Sequence, residues 1–128
     1  DPQKVVYGIS ELLINAVEHG NLGITYVEKT QLVSSGDWRD EVERRLILPE
    51  NINKFSYLTF DMKQEYIELR VKDQGSGFDW DAYMQLTPSR SADPNGRGIA
   101  MANMLSFDKM EYIGCGNEVV CSVKLPLP

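Results

Sequence analysis

Glu11, Asn15 and His19 recur every four residues in a stretch that reads as helix, so a carboxylate, an amide oxygen and an imidazole form one stripe. Such a stripe can offer Mg²⁺, which keeps several of its own waters, an oxygen ligand and can place a proton acceptor beside it. Taken alone, the same spacing also describes a solvated polar face. A second group, Asp73-Gln74-Gly75-Ser76-Gly77-Phe78-Asp79, follows a strand-like run that ends at Lys72. A carboxylate at a strand end can accept a hydrogen bond from an exocyclic amine, and two nearby glycines let a ligand approach the backbone closely. The third group is Asn95-Gly96-Arg97-Gly98-Ile99, at the opening of a short helical pattern. Free backbone N–H groups and the positive end of a helix dipole suit a phosphate there, and Arg90 and Arg97 are the cations nearest these glycines. A P-loop is excluded, because no GxxxxGK followed by Ser or Thr occurs. The glycines after Asp73 lack the third glycine of a dinucleotide fingerprint. Cys115, Cys121 and the lone His19 make no zinc ligand set.

The elements that must position these groups follow from periodicity and turn chemistry. From Gln3 to about Asn21, Val6, Ile9, Leu13, Ala16 and Val17 fall on one helical face, and Asn21 with Gly23 supplies a stop. Residues 24–53 read as a helical hairpin, with Gly36 ending one helix and Asp37 capping the next. Trp38 within it reads as packing in preference to a partner contact, since large apolar residues usually serve cores. Phe55 to Met62 and Glu65 to Lys72 read as a strand hairpin around Lys63-Gln64, with Ile67, Leu69 and Val71 turned to the core by alternation. Phe78 to Asn95 is long, interrupted by proline and short of apolar anchors, as expected of a lid over a ligand. A short helix over Gly98 to Ser106 is then followed by strands at about Phe107 to Ile113 and Glu118 to Leu125, around a turn at Gly114 to Asn117. The sum is a single α/β domain, without internal repeats.

Length and composition narrow the function. At 128 residues the chain is long enough for one domain with a real core. Its 42% hydrophobic and 25% charged residues exclude a disordered or low-complexity chain. Nineteen acidic against thirteen basic side chains leave a net charge of −6 with no basic cluster, which disfavours nucleic acid as a partner. No apolar stretch approaches the roughly 20 residues of a membrane span. The cysteine usage suits the cytoplasm. The chain opens at Asp1 almost directly in a helical pattern, which reads as a piece of a longer signalling protein.

In this order the three groups resemble the ATP-binding superfamily of DNA gyrase, heat-shock chaperones, histidine kinases and mismatch-repair ATPases, and within it most closely the anti-sigma-factor serine kinases. The residues that carry the resemblance are Glu11-Leu12-Leu13-Ile14-Asn15-Ala16-Val17-Glu18-His19-Gly20, similar to that family's N-box, then Asp73-Gln74-Gly75-Ser76-Gly77, Gly96-Arg97-Gly98 and Gly116-Asn117-Glu118-Val119. It covers most of the chain outside residues 24–53, which read as an insertion. It implies a Bergerat-type fold, a two-layer α/β sandwich with helices on one face of a mixed, mostly antiparallel sheet, and it implies ATP and Mg²⁺ as ligands. By the resemblance Glu11 is the base toward a protein serine, Asn15 binds Mg²⁺, and Asp73 reads the adenine amine. Gly75 and Gly77 line the base pocket, Gly96 and Gly98 wrap the phosphates, and His19 and Asn117 belong to the same nucleotide site. Asn117 stands where the family usually carries Thr, and either Arg90 or Arg97 could be the lid arginine. The partners implied are a small anti-sigma-factor antagonist and a sigma factor, and a homodimer is compatible with the family. Two alternatives stay open: the catalytic domain of a histidine kinase, whose phosphoacceptor cannot be His19 inside the N-box, and a non-catalytic module that binds its partner with ATP as a conformational ligand.

Overall fold

The computed structural model describes residues 2–77 and 98–126. Arg90, Gly96, Arg97 and the segment Phe78 to Asn95 expected to form a lid lie outside the described residues. The chain starts in helix α1, Pro2–Ile14, which continues into a wider π-helical turn over Asn15–Asn21. There the Leu22 N–H donates to the Val17 carbonyl five residues back, at 2.9 Å. Helix α2 spans Tyr26–Ser35 and α3 spans Trp38–Leu46, the expected hairpin. Gly36 ends α2 with φ at 80°, in the left-handed region that a Cβ disfavours. A feature the pattern reading passed over begins α2: Thr25 Oγ1 accepts from the Glu28 N–H at 3.0 Å, and the Glu28 carboxylate accepts from the Thr25 N–H at 3.1 Å. This is a capping box, and Thr25-Tyr26-Val27-Glu28 is its sequence signature. Asp37 precedes α3 as expected but makes no side-chain cap bond. Acid in the first turn and Arg44 and Arg45 in the last suit that helix's dipole instead.

The strands are β1 (Tyr57–Met62), β2 (Tyr66–Lys72), β3 (Lys109–Ile113) and β4 (Glu118–Lys124), in the order β1-β2-β4-β3 with every described pairing antiparallel. Helix α4, Gly98–Met101, precedes β3 and passes into a second π-helical turn, Ala102–Ser106. Alternation puts Leu69 opposite Cys121 and Val71 opposite Val119, while Met110 and Tyr112 of β3 meet the same two β4 residues from the other side. All six are buried, and Leu12 and Ala16 of the first helix and Ile99 and Ala102 of α4 and its extension close the core over them. The opposite face of the sheet carries charge, as in Arg70 set 3.4 Å from both Glu68 and Glu118. Helices on one side and charged side chains on the other make the expected two-layer sandwich.

The apolar stripe of the first helix lies slightly rotated from its expected place. Ile9 and Leu13 pack on the core as expected, but Val6 is 61% exposed and Leu12 is buried instead. Gly8 is the reason. A Cβ there would fall 2.5 Å from the Ser106 Cβ and 2.7 Å from the Phe107 ring, so the contact face runs along Gly8, Leu12 and Ala16. Periodicity finds a stripe, and a packing neighbour decides its centre.

Candidate functional site

Asp73 leaves the end of β2 and is only 8% exposed. Its N–H donates to the Asn117 carbonyl at 2.9 Å, and its Oδ1 accepts from the Gly75 N–H at 2.8 Å. Burial raises its pKa above the ordinary carboxylate value, and the Gly75 N–H and the Lys54 charge oppose that rise. The carboxylate rests on Gly20, where a Cβ would lie 2.3 Å from the Asp73 Cγ. A Cβ on Gly75 would sit 2.1 Å from the Gly20 carbonyl oxygen. Gly77, with φ at 86°, comes so close to β3's following turn that a Cβ would fall 2.0 Å from the Cys115 carbonyl oxygen. The glycines around Asp73 thus permit three backbone segments to meet around one buried carboxylate.

Buried Asn21 bolts this turn to the first helix. Its Oδ1 accepts from the Gln74 N–H at 2.7 Å, its Nδ2 donates to Ser56 Oγ at 3.1 Å, and its carbonyl accepts from Lys54 Nζ at 3.1 Å. On the other side the Asn117 amide reaches the Gly75 carbonyl at 3.5 Å. In the place where the resemblance expects Thr, Asn117 therefore acts through the backbone of the turn, and its side chain meets Gly75 rather than the Asp73 carboxylate.

Asn15 and His19 line the same concavity as Asp73, Gly77 and Asn117. His19 donates from Nδ1 to the Ile24 carbonyl and stacks on Tyr26, with ring centroids 3.9 Å apart. With the proton on Nδ1, the neutral ring leaves Nε2 as an acceptor. Burial lowers its pKa, the Ile24 bond partly offsetting that effect.

Glu11 stands apart from them. Its carboxylate lies against the start of α4, where a Cβ on Gly98 would be 1.9 Å from Glu11 Oε2. The four-residue stripe read from sequence is thus divided between two places. Glu11 and Asn15 remain one helical repeat apart, and the division follows from what packs beside each, Gly98 of α4 on Glu11 and the concavity beside Asn15; the wide turn itself spans only Asn15–Asn21. The same turn carries Glu18 into the interior, 4% exposed. Gly20, Asn21 and Tyr26 are the participants sequence reasoning missed. Gly20 lay inside a motif already noted, whereas nothing local marks Asn21 or Tyr26 as neighbours of Asp73.

A buried carboxylate in a glycine-walled turn faces an amide and an imidazole from one helix of an α/β sandwich, the concave arrangement with few convergent polar groups of a small-molecule site. Over residues 1–123 the chain matches the histidine kinase-like ATPase domain family, and it belongs to that family. No curated protein and no solved structure matches the chain. The family makes ATP the ligand of this class of site. Among the described residues no helix is long and apolar enough to cross a membrane, and no three His, Cys, Asp or Glu side chains gather to hold a metal. A Mg²⁺ ion at this site would draw most of its ligands from phosphate and water, with the Asn15 amide oxygen the protein donor at hand.

Proposed function

We propose that this domain is an ATP-dependent serine/threonine protein kinase of the anti-sigma-factor type, acting in bacterial signalling on a partner protein. Support comes from the separation of two carboxylates, Asp73 buried in the glycine-walled concavity and Glu11 against the start of α4 at Gly98. One suits recognition of a base and the other suits chemistry. Asp73 accepts from the adenine amine, Gly75 and Gly77 admit the ring, and Asn117 and His19 complete the wall. Asn15 holds Mg²⁺, which when bound neutralises phosphate charge. By the resemblance, Gly96, Gly98 and either Arg90 or Arg97 are the residues assigned to the phosphates. Glu11 takes the proton of the acceptor serine as its oxygen bonds to the γ-phosphorus, and the bond to the bridging oxygen breaks with its electron pair leaving on ADP. The natural acceptors are a small anti-sigma-factor antagonist, with a sigma factor as the second partner. Activity in the cytoplasm, and assembly as a homodimer, are part of the same proposal.

Transfer of labelled γ-phosphate to candidate partner proteins is the deciding assay, because a histidine kinase domain would label histidine and a binding module would label nothing. Glu11→Ala should cut transfer by about 10²–10⁴ while ATP affinity stays near wild type. Asn15→Ala should weaken binding of Mg·ATP and turnover together. Full transfer to a genuine partner by Glu11→Ala would remove Glu11 as the base in favour of another such as Glu18, whereas no label on any partner would favour the binding-module reading.

A further inference from the structure

The wide turn Asn15–Asn21 faces two ways. Asn15 and His19 point into the concavity, and Glu18 between them points into the α2–α3 pair. There one Glu18 oxygen receives Lys29 Nζ of α2 at 2.9 Å and the other receives the indole N–H of Trp38, the first residue of α3. Lys29 Nζ also lies 5.3 Å over the Trp38 ring, so carboxylate, ammonium and indole form one closed set. Trp38 is therefore neither simple packing nor a free surface contact. A second tie runs from α3, where Arg45 donates to the Leu22 carbonyl at 3.2 Å, pairs with Glu28 of α2 at 2.8 Å and with Glu41 at 2.7 Å. The helical pair is thus held at both ends against the exit of the first helix, and its first residue, Tyr26, is the ring stacked on His19.

We propose that the α2–α3 pair is a positioning element of the nucleotide site, in which the Glu18–Lys29–Trp38 latch holds Tyr26 against His19, so that docking of the pair and occupancy of the concavity are energetically coupled. The inference rests on the nucleotide reading of the concavity. A preformed wall spares the ligand the cost of ordering it, and a coupling of this kind acts equally in both directions. Tyr26 itself lines the concavity, and Lys29 and Trp38 are positioning residues that act through its placement.

The test uses the whole chain, with Mg·ATP as the probe. Hydrogen exchange across residues 26–46 should slow when ATP saturates the wild-type protein. Lys29→Met and Trp38→Phe, checked as folded by circular dichroism, should each bind ATP about fivefold more weakly, at the low end of ordinary coupling. Lys29→Arg, which keeps a cation for Glu18, should restore affinity. A merely structural latch would lower thermal stability without moving ATP affinity or the exchange response. Wild-type ATP binding that leaves exchange at 26–46 unchanged overturns the coupling even if a variant fails to fold, and so does a folded latch variant with wild-type affinity. Absence of ATP binding by the wild-type protein is a different result, which removes the nucleotide reading itself.

Discussion

The wall of the concavity and the outer strand β1 depart from the usual inside-out arrangement in opposite directions. Around the concavity the side chains of Glu18, Asn21 and Asp73 are polar or charged and yet nearly inaccessible. Each has partners: Lys29 and the Trp38 indole for Glu18, Gln74 and Ser56 for Asn21, and the Gly75 N–H for Asp73. On β1 the register sets Phe60 opposite Leu69 and Met62 opposite Ile67, so both belong to the face that carries the core. Leu69 is 3% exposed, whereas Phe60 is 63% and Met62 is 70% exposed. Leu58, at the start of the same face of β1, is half-buried against the core, so among the described residues the cover reaches Leu58 and leaves Phe60 and Met62 open. Buried polar groups and exposed large apolar ones are the informative exceptions to ordinary burial. The first kind is affordable only where every group finds a partner. The second costs nothing in partners but leaves β1 an open edge with an apolar side.

If that contrast holds, one sheet face should answer differently at two opposite residues. Leu69→Ala should lower unfolding free energy by about 2–5 kcal/mol, the usual range for an emptied core position. Phe60→Ala, across the ladder, should cost under about 0.5 kcal/mol. Urea unfolding measures both, and a loss at Phe60 equal to that at Leu69 would mean that β1 is covered after all.

Asp73→Asn sharpens the other side of the comparison. Losing a charge-assisted bond of about 1.5–3 kcal/mol should weaken ATP binding roughly tenfold or more by calorimetry. Without nucleotide the effect reverses. The folded pKa of Asp73 is raised by burial, so the fold favours its protonated form. That contribution is fully present below the ordinary value of 3.8 and is lost as pH rises through the raised one. Asparagine can still accept from the Gly75 N–H, so the ligand-free variant should match wild type in strong acid and exceed its melting temperature near neutrality. Wild type melting higher at neutral pH would show that the buried carboxylate is stabilising in its own right.

His19 gives the smallest effect, with the opposite pH dependence. Burial lowers its folded pKa, so its contribution to stability is complete above the ordinary value of 6.5 and is lost as pH falls through the lowered one. Stability followed by thermal melting should decline over that window, and His19→Gln should flatten the decline. An unchanged slope in the variant would assign the acid sensitivity elsewhere.

Much of this is legible in the amino-acid sequence. The strand hairpins around Lys63-Gln64 and Gly114 to Asn117, the break at Gly36 and the inward set Leu69 and Val71 are local facts, because side-chain alternation and turn chemistry act over a few residues. The Asp73 to Gly77 turn was legible for the same reason, and the motif order pointed to the family that the chain joins. Tertiary structure alone decided that the first helix widens at Asn15, sending Glu18 inward, and that Gly98 packs on Glu11 while Asn15 and His19 line the concavity. It also decided that Gly20 lies beneath Asp73, that Tyr26 covers His19, and that Phe60 stays in water on the face where Leu69 does not. Each of these depends on what a distant segment brings alongside, and neither helical periodicity nor strand alternation carries the identity of the neighbour.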